Sequence, residues 1–259
     1  MAASLPAPAR LRPLQVIQEG IEILLREPGA MIGLALVPSF AAAALVLLAA
    51  RLPAPDPWPD ILVTVVQLAG VCAATVVVTR AVLALADGRL LSFGEAFGTI
   101  GAAAFRAFGA SFVLGLAITV GLLLLVLPGV LMAAAWIVAV PAAIMEDLGP
   151  IGAARRSSQL SRGNRWRAIL LILLTQLFAT LFTLAVGLLL LVPLAAAAWL
   201  GLLGPGESFP RIQSLAEALG YALSALCHGT FGALAWRRLT EIRQGSTPGG
   251  REVAGTASA

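Results

Sequence analysis

Residues 107–145 and 168–206 carry no charged side chain, two stretches of 39 residues each in a chain of 259. An α-helix rises about 1.5 Å per residue, so roughly 20 apolar residues cross the ~30 Å hydrocarbon core of a bilayer. Each stretch is therefore long enough for two crossings. In the first, Pro128-Gly129 stands near the middle. Proline removes a backbone donor and glycine permits a tight turn, so a helical hairpin is predicted there. In the second, Pro193 comes only after 25 residues, and too few remain before Glu207 for a return. A single span ending at Val192 is predicted, with 193–206 at the far interface, a depth that suits Trp199.

Other uncharged runs complete the pattern. Spans are expected at about 30–50, 61–85, 107–127, 129–145, 168–192 and 218–236. Only 12% of the residues are charged, against about 25% in a soluble domain, too few to cover a water-facing surface. The predicted fold is all-α: a polytopic six-helix transmembrane bundle with short cytoplasmic amphipathic helices. It occupies residues 11–243 as one membrane domain, after a flexible N-terminus (1–10) and before a disordered tail (244–259). The proline-rich segment Arg51–Asp60 is expected to be extended.

All 17 basic residues are arginine. On a six-span layout all of them except Arg51 and Arg211 fall on one side. The positive-inside rule places that side, with both termini, in the cytoplasm, and the protein in a bacterial cytoplasmic membrane. Arginines scattered between apolar runs do not make a nucleic-acid surface. Anionic lipid headgroups are the expected partners, each basic residue near them contributing about 1 kcal/mol. Cys72 and Cys227 lie inside apolar runs, which excludes a disulfide framework or metal site, and no cofactor is expected.

Three more polar segments precede spans. In 14–26, Leu14, Ile17, Ile21, Leu24 and Leu25 share a helical face, the pattern of a helix lying in the interface. The segment 92–105 opens with Ser92-Phe93-Gly94-Glu95, a capping box. In 150–162, Arg155, Arg156, Gln159 and Arg162 share one side and Gly163 ends the helix.

The most distinctive stretch is Val140-Pro141, Glu146, Gly149-Pro150, Ala153-Ala154-Arg155-Arg156-Ser157, Leu160, Arg162-Gly163 and Trp166-Arg167. It resembles the membrane domain found beside some bacterial glycerophosphodiester phosphodiesterases, and a group of bacterial membrane proteins similar to that domain. The resemblance implies a fold and a location. In those enzymes catalysis belongs to a separate barrel, for which this chain has no room.

Two groups of residues merit attention as sites. Glu146, Asp147, Arg155, Arg156, Arg162 and Arg167 could form a polar gate or headgroup pocket, since arginine presents a fork suited to phosphate; a helix end with local ion pairs is the plainer alternative. Gln67, Gln176 and His228 are intramembrane polar residues, serving either as glue between helices or as ligand-binding groups. With one histidine and no lysine, the sequence predicts no enzyme. The expected role is a scaffold or lipid-interacting module. The alternative is a small-molecule transporter or permease subunit, which requires a polar cavity at mid-membrane holding Gln67, Gln176 or His228. A membrane enzyme acting on lipid would require Glu146, Asp147 and His228 to converge.

Overall fold

The computed structural model describes residues 10–49, 58–98, 100–200 and 208–245. Among them, all regular structure is helical: α1 (Pro13–Arg26), α2 (Pro28–Ala49), α3 (Trp58–Ala86), α4 (Phe93–Gly98), α5 (Ile100–Leu124), α6 (Val126–Ala135), α7 (Ala139–Met145), α8 (Pro150–Ser161), α9 (Arg165–Trp199) and α10 (Ser208–Gln244). Six units are long and apolar enough to cross a membrane: α2, α3, α5, the α6–α7 pair, α9 and α10. On α9, Leu173, Leu177, Leu181, Leu184 and Leu188 are each more than half exposed, at helical spacing. An outward-facing leucine stripe suits lipid rather than water. The chain is a multi-pass membrane protein built as an all-α six-helix bundle. The expectations for residues 1–9 and for the tail from 246 lie outside the described residues.

The helices form a ring. α3 packs against α5 and α10, α5 against α6 and α7, α9 against α6 and α10, and α2 lies on α3 and α10. Ion pairs collect at one end. Arg106 of α5 pairs with Asp147 after α7, Arg237 of α10 with Asp87 after α3, and Arg238 of α10 with Glu19 of α1. This is the arginine-rich end.

Span boundaries differ from expectation in five places. The hairpin turns at Leu125 rather than at Pro128-Gly129, which fall in the first turn of α6, where proline is tolerated. α3 starts at Trp58, so 58–60 are helical rather than extended, and the expectation for 51–57 lies outside the described residues; Pro59 falls in the first turn, where its missing N–H costs nothing. Helix α4 is only six residues long, and α5 already begins at Ile100, ahead of the predicted span. α9 continues through Pro193 to Trp199 rather than ending at Val192. A proline inside a long apolar helix bends it without ending it. α10 extends beyond 218–236 at both ends.

Span 4 is not continuous. α6 stops at Ala135, and Trp136–Val138 separate it from α7. The cause is Pro141, which lacks an N–H and whose ring collides with the carbonyl four residues back, that of Ile137. A buried break needs partners for its freed backbone groups. Ser157 and Ser161 of α8, both fully buried, supply them. Ser157 Oγ donates to the Ala135 carbonyl (2.9 Å) and accepts from the Val138 N–H (3.2 Å); Ser161 Oγ donates to the same carbonyl (3.1 Å).

α8 therefore plugs into the bundle. Ala153, Ser157, Leu160 and Ser161 are buried, while Arg155, Gln159 and Arg162 stay exposed, as their spacing predicts. Gly163, at φ +86°, ends it.

α1 likewise departs from a purely interfacial helix. Its buried face is Val16, Gly20 and Ile23, set against α9 and α10, whereas Leu14 and Leu25 are exposed. Gly20 permits this: a Cβ there would lie 2.5 Å from Phe231 Cε1. Two polar contacts hold α1 in place, the Leu11 N–H to Asn164 Oδ1 (3.1 Å) and Arg238 Nη2 to Glu19 (2.9 Å).

Candidate functional site

Within the ring lies a cavity of about 480 Å³. Its wall draws on α3, α5, α6, the Trp136–Val138 break, α7, α9 and α10. Most of the lining is apolar, including Leu68, Trp136, Leu171 and Phe231. Set into it are Thr75, Ser111, Thr175, Ser224 and His228, together with the thiol of Cys72. An apolar pocket with a few placed polar groups is the usual form of a small-molecule site.

His228 sits one turn beyond Ser224 on α10. Its Nδ1 lies 2.8 Å from the Ser224 carbonyl and 3.3 Å from the Ser224 hydroxyl. The shorter contact requires a proton on Nδ1, since a carbonyl can only accept. Nε2 makes no hydrogen bond among the described residues. Nine residues separate His228 from Arg237, about 13 Å of helical rise.

The other two intramembrane amides line neighbouring clefts. Gln67 borders a small cleft of about 20 Å³ with Ser39, Glu217 and Tyr221. Its Nε2 donates to Glu217 (3.5 Å), and the Tyr221 hydroxyl donates to its Oε1 (3.4 Å). Gln176 lines a wider cleft between α9 and α10, of about 530 Å³, with Glu217, Tyr221 and Ser224. The structure thus places Gln67, Gln176 and His228 in three adjoining spaces, joined through Ser224, Tyr221 and Glu217. Glu217 falls just outside the span expected at 218–236, and Tyr221 falls inside it with nothing in its immediate sequence to set it apart. Their signal is spacing: 217, 221, 224 and 228 fall on one face of a helix.

At the arginine-rich end, Glu146 is held from two sides. Arg156 Nε donates to both carboxylate oxygens (3.0 and 2.7 Å), and Trp236 Nε1 donates to Oε1 (3.0 Å). Trp236 adjoins Ala235, a cavity-lining residue. Asp147 turns away at φ 53°, a left-handed conformation that Asp adopts more readily than most residues, and pairs with Arg106. Arg155 and Arg162 are exposed and Arg167 is half-buried. Among the described residues none of the three has an ion-pair partner, although the Arg162 carbonyl accepts from Arg243 (2.9 Å). Of the six residues predicted for a headgroup pocket, then, only Glu146 and Arg156 meet.

Glu146 and Asp147 do not converge with His228. Trp236, the α10 partner of Glu146, is eight residues from His228, about 12 Å along the helix. Among the described residues no three of His, Cys, Asp and Glu gather as metal ligands. Comparison with family models, with curated proteins and with solved structures gives no match to this chain.

Proposed function

We propose that this chain is a non-catalytic permease, or the membrane subunit of one, that holds a small amphipathic molecule in the cavity between α3, α5, α6–α7, α9 and α10. The observation that carries this reading is the cavity itself, about 480 Å³, with His228, Ser224, Thr175 and Ser111 set in an apolar wall. A scaffold needs no such space, because helices packed only for support bury their small residues against each other. The broken span is a second support. Interrupted helices within a membrane occur where backbone is buried in protein or lines a cavity.

On this reading the arginine-rich end faces the cytoplasm of a bacterial cell. The exposed side chains of Arg155 and Arg162 lie among anionic headgroups there. The likeness of residues 140–167 to the phosphodiesterase-associated membrane domain belongs to the same proposal, as a statement of kinship and not of activity.

The test is access and occupancy. In a chain carrying Cys72→Ala and Cys227→Ala, a cysteine placed at Ser224 reacts with a small cationic methanethiosulfonate added from water. The purified wild-type chain releases a bound amphiphile in native mass spectrometry, and Ala225→Trp, which fills the cavity, loses it. An unreactive position 224 together with no bound molecule in the wild type returns the chain to the scaffold class.

A further inference from the structure

The hairpin between α5 and α6 turns on one residue. Leu125 alone is non-helical, at φ −158° and ψ 125°. From Gly121 to Trp136 no side chain is charged, hydroxylic or an amide. The tip is nevertheless uncovered by protein: Leu123 is 82% exposed, Leu124 76% and Val126 69%. In water this would be a costly run of bare leucine, because each exposed side chain forgoes its burial.

Length gives the alternative. Leu125 lies 19 residues beyond Arg106, about 28 Å of helical rise, slightly less than the ~30 Å hydrocarbon thickness, and tilt shortens it further. The neighbouring helices reach much farther. α9 runs about 48 Å from Arg167 to Trp199, and α10 about 44 Å from Arg237 to Ser208. Counted from these arginines, the hairpin is about 15–20 Å shorter than α9 and α10.

The turn is also short, and two backbone bonds close it. The Leu125 N–H donates to the Gly121 carbonyl (3.0 Å), the Gly129 N–H to the Leu125 carbonyl (3.4 Å), and Pro128 has no N–H to satisfy. Gly121 and Gly129 let the two helices touch at the tip, where a Cβ on Gly129 would lie 2.6 Å from the Leu122 nitrogen. In hydrocarbon each unsatisfied backbone group is expensive, so a one-residue turn is the form such a place demands.

We propose that the α5–α6 turn is immersed in the bilayer, with lipid acyl chains as its partner, and never reaches the far aqueous side. The cavity wall that carries the Trp136–Val138 break is then anchored to water only at the arginine-rich end. The proposal stands apart from any ligand in the cavity.

The experiment uses the full chain, with Cys72→Ala and Cys227→Ala, reconstituted in lipid vesicles. A nitroxide is attached at Leu125→Cys or, in a second chain, at Leu123→Cys, with Arg155→Cys as the aqueous reference. Collision with oxygen is compared with collision with a water-soluble nickel chelate. Immersion raises the oxygen-to-nickel ratio at 125 and 123 at least several-fold over that at 155. A ratio like that at 155 places the turn in water and overturns the proposal. Collision with neither reagent means that protein, such as a second copy of the chain, covers the tip, and this overturns it too. Two sites guard against one label disturbing the turn.

Discussion

α3 and the α6–α7 pair cross the same slab in opposite ways. α3 runs 29 residues without interruption, its Val76, Val77 and Val78 sealed against neighbours. Thr75 stays within the helix: its Oγ1 donates to the Val71 carbonyl one turn back (2.8 Å). The α6–α7 span breaks at its centre and depends on two serines from another helix. A continuous helix satisfies its backbone within its own sequence, whereas a broken one borrows. The borrowed contacts hold non-helical backbone beside the cavity, where a continuous helix would present only side chains.

The largest expected effect comes from removing what is borrowed. Ser157→Ala with Ser161→Ala leaves the Ala135 carbonyl and the Val138 N–H without hydroxyl partners. At about 1–3 kcal/mol for each buried unsatisfied group, reversible unfolding in detergent loses about 2–6 kcal/mol. Thr75→Ala is the counterpart in α3 and changes stability by about 0.5 kcal/mol or less, because the Val71 carbonyl keeps its helical N–H. Equal effects from the two changes would erase the contrast between the spans.

A smaller effect is expected where α7 ends. Glu146→Gln removes the charge facing Arg156 while a carbonyl can still accept from Trp236 Nε1. The two side chains are 25% and 35% exposed, so solvent screening limits the loss to about 1–2 kcal/mol. In a double-mutant cycle with Arg156→Gln, most of that loss should appear as coupling. A loss without coupling assigns the effect to Trp236 instead.

The smallest effect lies outside the membrane, at α4. The Ser92 N–H (2.9 Å) and hydroxyl (2.7 Å) both donate to Glu95, and the Glu95 N–H donates back to Ser92 Oγ (3.3 Å). The backbone bond, then the hydroxyl, hold the Glu95 carboxyl below its ordinary titration range. A lowered folded value means the cap contributes above the ordinary carboxylate value and is lost as pH falls through the lowered one. Hydrogen-exchange protection of the Ser92 and Glu95 amides should fall over that acidic window while protection in α3 stays constant. If both segments change together, the whole bundle is titrating rather than the cap.

Much of this architecture was readable in the residues. The α5–α6 hairpin follows from an uncharged run too long for one helix, but its turn lies at Leu125 and not at Pro128-Gly129, because a proline is at home in the first turn of a helix. The Ser92–Glu95 box was recognisable because its partners are three residues apart. The candidate site was less legible. His228, Gln67 and Gln176 stood out as polar groups in apolar runs, but their division among three spaces depends on how α3, α9 and α10 are rotated. Glu217 lay just outside the expected span, and Tyr221 acquired its partners only through the packing of α10 on α3. Span 4 was expected to be continuous despite Pro141; Pro38 and Pro193 sit inside helices that continue, so a proline alone could not say which span would part.

By itself, the sequence determined that this chain enters a membrane as six long apolar helical segments, because apolar length and missing charge act residue by residue on transfer into lipid. Only the tertiary structure decided where a helix breaks, which face of α1 is buried and that a cavity exists. Each of these depends on groups distant in the chain meeting at a few ångströms: Ser157 with Val138, Gly20 with Phe231, Trp236 with Glu146. Hydrogen bonds and close packing act only at that range.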